Sequence, residues 1–485
     1  MPTISMRATR PPDSDQHTGW SRRLVRQVAI LVLANVMVDT VVGAPLLVLP
    51  QMLDHFGTDQ AAWLNASAML AGAMWAPLLG KSADIFGKRK ALVTSLLIGC
   101  AGALVCLVAP NIWVFIAGRL LQGAAVAAVF LSVALIRQIC APGIAMTVVG
   151  IVTSGSAVLG VASPFFFKVL AEEFGFRSVF LVSAVLAAVA AVCVRGTIPE
   201  SPFRTGGRID VVGAVLLGGG LAATLSYVSL GAKFGWFALG PLVLLVVGVA
   251  LLVRWVAVSR RVPEPVIDIR DLRGPLVLTL VVVVLSTGAY QSTLQLISLI
   301  AQVSPDARLG YGLAAEGALG LLFAVPSVGV MVGGTLAGAL ATRIGPAWTL
   351  AGGVAIGTAA TIGMSLSVSH LSAAVVVAGL LGFAAGAIVT SGFNLATSVA
   401  STGTQGVVSG LVQVMLGIGS VVMNVVGSAV LTSTAVVVDG ARVNSAAGVH
   451  GYLAIAAASF VVATAVAILL ARRQRPTPAG SALSG

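Results

Sequence analysis

Fourteen stretches of about twenty apolar residues, joined by short polar connections, leave this chain few ways to fold. They cover residues 27–50, 61–79, 91–109, 112–136, 144–170, 178–194, 211–230, 237–258, 275–301, 314–341, 347–367, 371–393, 405–432 and 451–471. A helix of ~20 apolar residues crosses the hydrocarbon core of a bilayer, and lipid tolerates only backbones that satisfy their own hydrogen bonds. A mean hydropathy of +1.04 and a hydrophobic fraction of 58% exclude a water-soluble globular protein. The reading is an all-α polytopic membrane protein of fourteen spans. The first run is too long for a cleaved signal peptide and is expected to remain as the first span.

Charge orients the bundle. An even number of spans puts both ends on one side. With that side inside, 22 of the 28 Lys and Arg residues fall in inner segments. Only Lys168, Arg177, Lys233, Arg308 and Arg442 fall at the outer side, and Arg119 lies well inside a run. Basic residues favour the cytoplasmic side, so tails 1–26 and 472–485 are expected in the cytoplasm and the protein in the cell membrane. The same distribution accounts for the net charge of +12 without a nucleic-acid partner. Cys100, Cys106, Cys140 and Cys193 show neither a disulfide nor a metal-ligand spacing, and His17, His55, His370 and His450 are scattered. No metal and no cofactor are expected. The absence of a G-x-x-x-x-G-K-[ST] stretch argues against ATP hydrolysis within the chain. A polytopic membrane enzyme would need a carboxylate or histidine cluster at a membrane face, and a non-transporting scaffold would have little reason to tolerate charges within its spans.

The densest charge lies in GKSADIFGKRK, Gly80–Lys90, at the inner end of the second run. An echo, GALATRIG, occupies Gly338–Gly345 at the equivalent place in a second six-run block, with Thr342 where the first copy has Asp84. The domain reading is therefore two six-helix halves, 27–194 and 275–471, with an extra pair of helices inserted in 195–274. Two such halves with a site at their interface form a transporter architecture.

These residues resemble the major facilitator superfamily and, within it, the fourteen-span drug/proton antiporter family. The family's G-x-x-x-D-x-x-G-[RK]-[RK] signature is met by Gly80, Asp84, Gly87, Lys88 and Arg89. Arg119, Gln122 and Gly123 in GRLLQGAAVAA resemble the R-x-x-Q-G signature, and Asp39, Thr40 and Pro50 resemble its first-span motif. Trp63 and the segment PVIDIRDLR, Pro265–Arg273, are similar to further family features. The fifth span departs from the family's G-P-x-x-G-G ending: SPFFFK, Ser163–Lys168, keeps Pro164 without the paired glycines. Gly150, Gly155 and Gly160 still supply small residues for helix packing. The resemblance implies alternating access driven by the proton gradient, with small amphipathic or hydrophobic molecules as cargo. Protons and lipid are then the other partners, and a monomer is the expected state. Import, or movement of an endogenous lipid or metabolite, stays open.

Ionisable groups within spans are costly and mark candidate sites. Asp39 lies roughly 18 Å from the inner end of its run and Arg119 about 10 Å from the outer end of its own, at 1.5 Å per residue. The two therefore lie at similar depth. They form either a proton-coupling pair or a permanent bridge between spans 1 and 4, and Arg119 has contact with an anionic substrate as a further option. Glu316 is either a second protonation site or a wetted interface residue. Asp210 reads as a helix N-cap and Glu200 as a loop residue. Asn35, Gln122, Tyr290, Gln291, Gln295, Asn394, Gln413 and Asn424 are candidates for a substrate cavity or for hydrogen bonds between helices. By resemblance, Asp84 is expected to latch the two halves together. Its targets would be a nearby arginine or the N-terminus of a facing helix, which favours a carboxylate.

Overall fold

The structure, a computed structural model, describes residues 17–42, 44–57, 61–200, 210–262, 274–304, 309–315, 317–401, 403–438 and 441–473. These residues are almost entirely helical. The first block contains α1 (Arg22–Val42), α2 (Ala44–Leu47), α3 (Leu49–Phe56), α4 (Ala61–Phe86), α5 (Lys88–Val108), α6 (Ile112–Gln122), α7 (Ala127–Ile139), α8 (Pro142–Gly155), α9 (Ala157–Phe174) and α10 (Arg177–Thr197). Two helices follow, α11 (Val211–Phe234) and α12 (Leu239–Ser259). The second block contains α13 (Gly274–Ile300), α14 (Ala318–Ile344), α15 (Pro346–Ser367), α16 (Leu371–Val399), α17 (Gln405–Ser433) and α18 (Ala446–Arg473). A small antiparallel hairpin, β1 (Val436–Val438) and β2 (Ala441–Val443), joins α17 to α18. Among the described residues, ten helical segments are long and apolar enough to cross a membrane.

Each of the fourteen apolar runs falls on helix, but three are interrupted. The first breaks into α1, α2 and α3, where Pro45 and Pro50 each remove a backbone donor. The fourth tightens to a 3-10 turn at Gly123–Val126 between α6 and α7. There Gly123 lies against α4 so closely that an added Cβ would stand 2.5 Å from the Ala68 carbonyl. The fifth divides at Ser156 into α8 and α9. Caps fix other boundaries: Asn111 Oδ1 accepts from Val114 N at the start of α6, and Asp210 Oδ1 accepts from Gly213 N at 2.7 Å, as its N-cap reading requires.

Apolar packing gathers the helices into two bodies. One core is centred in the first block, around Leu24, Leu31, Met37, Phe130 and Val148, and reaches into the second through Val283, Phe393 and Val412. The other lies in the second block around Leu350, Leu381, Tyr452 and Phe460. The bodies meet along two seams, α4 with α17 and α8 with α14. The inserted helix α11 lies beside the first seam, where Ala214 and Leu217 pack with Leu78 of α4 and with Val407 and Leu411 of α17. α12 rests on α11 and is otherwise mostly exposed. Both seams run toward the end that carries Lys81, Lys88, Arg89, Lys90, Arg137 and Arg343, called here the basic end.

Candidate functional site

The two seams at the basic end are built alike. Gly80 on α4 faces α17, where an added Cβ would stand 2.9 Å from the Gly406 carbonyl. Gly338 on α14 faces α8, where an added Cβ would stand 2.6 Å from the Met146 carbonyl. Seven residues later each copy turns on a glycine with positive φ: Gly87 (φ 111°) leads into α5 and Gly345 (φ 87°) into α15. Only glycine adopts such angles without strain. The echo seen in the sequence thus occupies matching places in the fold.

Charge distinguishes the first copy. Asp84, buried near the end of α4, accepts from Gly406 N through Oδ1 and from Val407 N through Oδ2, each at 3.1 Å. These are free amides of the first turn of α17, and the helix dipole there favours a carboxylate. Lys88 Nζ lies 3.8 Å from Asp84 Oδ1, with both side chains buried. Asp84 stands beyond the apolar stretch 61–79. Burial pushes its carboxyl up to about 6, opposed by Lys88 and the two amides. Thr342, its counterpart in the echo, is exposed and bonds back to the Ala339 carbonyl.

A second charge supports the same loop. Arg89 donates from its backbone N to Glu200 Oε1 at 3.1 Å, and its Nε lies 3.5 Å from Glu200 Oε2. Its Nη1 also donates to the Ile198 carbonyl. Glu200, which the sequence presents as a plain loop residue, ties the end of α10 to the start of α5. Its carboxylate fills the space beside Gly87, where an added Cβ would stand 2.5 Å from Oε1.

Deeper in the first block, Arg119 is fully buried and donates from Nη1 to the Val41 carbonyl at 2.7 Å and to Gln122 Oε1 at 2.8 Å. The guanidinium therefore reaches α1 two residues beyond Asp39. The side chain of Asp39 lies outside the described residues, as do Glu316, the segment 265–273, and the side-chain surroundings of Trp63, Gly160 and Pro164. Gly155 packs against Val32 of α1.

The amide candidates separate into two groups. Asn35 donates to the Val152 carbonyl at 2.8 Å, yet its Oδ1 has no partner among the described residues. Gln122 Nε2, Gln413 Oε1 and Asn424 Oδ1 are likewise buried without a described partner. Tyr290 and Gln291 are half-buried and Gln295 is exposed. Asn394 differs: its side chain is fully buried and engaged with Arg137 of α7 and with the Met146 carbonyl of α8. Arg137 carries no sequence signal beyond its charge.

Comparison with known proteins fixes the family. Residues 31–422 match the Major Facilitator Superfamily. The chain belongs to that superfamily. It is a multi-pass integral membrane protein. A Mycobacterium tuberculosis relative called multidrug resistance protein B homolog is 32% identical over 337 residues, which is 67% of this chain and 60% of that protein. A Lactococcus lactis relative called uridine/deoxyuridine transporter is 28% identical over 316 residues, 62% of this chain and 64% of that protein. The chain thus spans about three fifths of the length of these superfamily relatives. Among solved structures, the superfamily transporter FucP in the outward conformation superimposes with a TM-score of 0.61 at 14% identity, covering 93% of this chain and 99% of FucP. That likeness concerns the fold alone.

Proposed function

We propose that this chain is a secondary transporter that exports small amphipathic or hydrophobic compounds from the cell in exchange for protons. It works by alternating access, through two six-helix halves (27–194 and 275–471) and an inserted pair, as fourteen spans with both tails in the cytoplasm of a plasma-membrane monomer. One observation carries the reading. All hydrogen bonds between the two blocks among the described residues lie toward the basic end, and the outermost is the Asp84 carboxylate on the N-terminus of α17. A gate needs a contact that is specific and breakable. Burying the charge of Asp84 offsets much of what its two amide bonds and Lys88 contribute, so neither the closed nor the open form dominates by a wide margin.

Asp39 and Arg119 are assigned to proton coupling, with Glu316 as a second protonation site. The bond from Arg119 to the Val41 carbonyl supports this, since it holds a cation within a turn of Asp39. A nearby cation lowers a carboxyl's pKa and burial raises it, so a rearrangement between two states switches protonation. Asn35, Gln122, Tyr290, Gln291, Gln295 and Gln413 are assigned to the cavity. The amides of Asn35, Gln122 and Gln413 on α1, α6 and α17 each keep a buried polar atom with no described protein partner, which suits a polar cavity. The name of the mycobacterial relative supports drug export. That of the lactococcal relative favours a second reading, transport of a metabolite such as a nucleoside.

The test is proton movement in inverted vesicles on addition of candidate compounds, lipophilic cations and nucleosides among them. Proton efflux from the lumen that is substrate-dependent and lost in Asp39→Asn supports the proposal. Substrate movement without proton flux, unchanged in Asp39→Asn, defeats it.

A further inference from the structure

The basic end holds a second contact between the blocks, and it grips the same corner of the molecule as Asp84. Arg137, in the last turn of α7, donates from Nη2 to the Asn394 carbonyl at 2.9 Å and to Asn394 Oδ1 at 2.7 Å. Asn394 in turn donates from Nδ2 to the Met146 carbonyl at 3.2 Å, so one side chain joins α16 to both α7 and α8. No carboxylate pairs with Arg137 among the described residues, and its Nε has no described partner. The two bonds to Asn394 are therefore its described anchorage.

Asn394 lies near the C-terminal end of α16, and Gly406 opens α17 across a short connection. The first block thus presents an anion to the N-terminus of α17 and a cation close to the C-terminus of α16. The helix dipole favours the anion at the start of α17, while the cation is held by the carbonyl and side-chain oxygen of Asn394, just over a turn before α16 ends. We propose that Arg137 and Asn394 are positioning residues which, with Asp84, make a two-point clamp on the α16–α17 corner and hold the basic end closed. The clamp rests on the alternating-access reading above and extends it. Opening must release both points together, because α16 and α17 meet at one corner. Asn394, a cavity candidate by sequence, is then a gate residue. The uncharged contact of Thr153 with Thr390, Oγ1 to Oγ1 at 3.0 Å, lies deeper along the same seam.

The experiment is a spin-label distance distribution across the basic end of the full chain in nanodiscs, without substrate or gradient. Labels at positions 86 and 399 are suitable, as both side chains are exposed. Arg137→Met removes both donated bonds and should raise the open-to-closed ratio about tenfold, the usual weight of bonds to a charged group. Arg137→Lys, which keeps the charge without the fork, should give an intermediate shift. Asn394→Leu should match Arg137→Met, and combining the two should add little, since they break one contact. If Arg137→Met fails to fold, Arg137→Lys and Asn394→Leu carry the test alone. Unchanged distributions in folded variants, or fully additive shifts for Arg137→Met and Asn394→Leu, would overturn the clamp. Since no transport is measured, such a failure is distinct from failure of the export reading.

Discussion

At the scale of single residues, Asp84 shows how far sequence reasoning reaches. An aspartate between two glycines in a basic loop was legible, and the family resemblance narrowed its partner to an arginine or a helix N-terminus. The partner itself was not legible, because Gly406 is 322 residues away in the chain. Two substitutions of state test the contact. Asp84→Asn offers one acceptor where two amides need two, leaving a buried N–H without a partner, which costs about 1–3 kcal/mol. Transport should fall several-fold or more while membrane insertion survives, measured by uptake into vesicles and by surface labelling. Protonation acts in the opposite sense, since each carboxyl oxygen keeps a lone pair for its amide while the cost of burying the charge is removed. The closed carboxyl titrates near 6, above its ordinary value of 3.8. The closed form therefore gains stability as pH falls through about 6 and loses that gain as pH rises through it. Distances across the basic end should shorten on acidification from pH 7.5 to 5 in the wild type and respond less in Asp84→Asn.

At the scale of elements, hydrophobicity in long runs located every long helix, because lipid demands such runs. It did not show the breaks within the first, fourth and fifth runs, which arise from local backbone chemistry at Pro45, Pro50, Gly123 and Ser156. Nor did it show that Glu200 folds back on Arg89, or that Asn394 is occupied by Arg137, since both depend on contacts distant in sequence. The pairing of GKSADIFG with GALATRIG was legible, and its physical basis is two glycine crossings, α4 on α17 and α14 on α8. Gly80→Leu and Gly338→Leu would each drive a side chain into backbone. Both should open the basic end in distance measurements. Overpacking typically costs about 1–3 kcal/mol, so shifts of roughly tenfold in the open-to-closed ratio are expected. Gly352→Ala, at a helical glycine with open space around it, should leave the ratio unchanged.

At the scale of the whole molecule, the proposed orientation rests on charge asymmetry and the proposed motion on the two seams. A cysteine at exposed position 90 should react with a membrane-impermeant maleimide only in inverted vesicles, and one at position 366 only in intact cells. The inserted helix α11 lies beside the α4–α17 seam with α12 resting on it, so the pair must slide or follow when that seam opens. Substrate is the feature least legible in either sequence or fold, because the residues assigned to the cavity are scattered polar side chains rather than a motif. The central claim is that the two blocks rock about a central site, with the basic end closing as the other end opens. Two distances, measured in one sample series in nanodiscs, test it most directly: positions 86 to 399 at the basic end and 108 to 366 at the opposite end. Titration with pH and substrate should change them in opposite senses, with Asp84→Asn lengthening the first and shortening the second. Distances that change together, or a basic end that stays closed under every condition, would contradict the account.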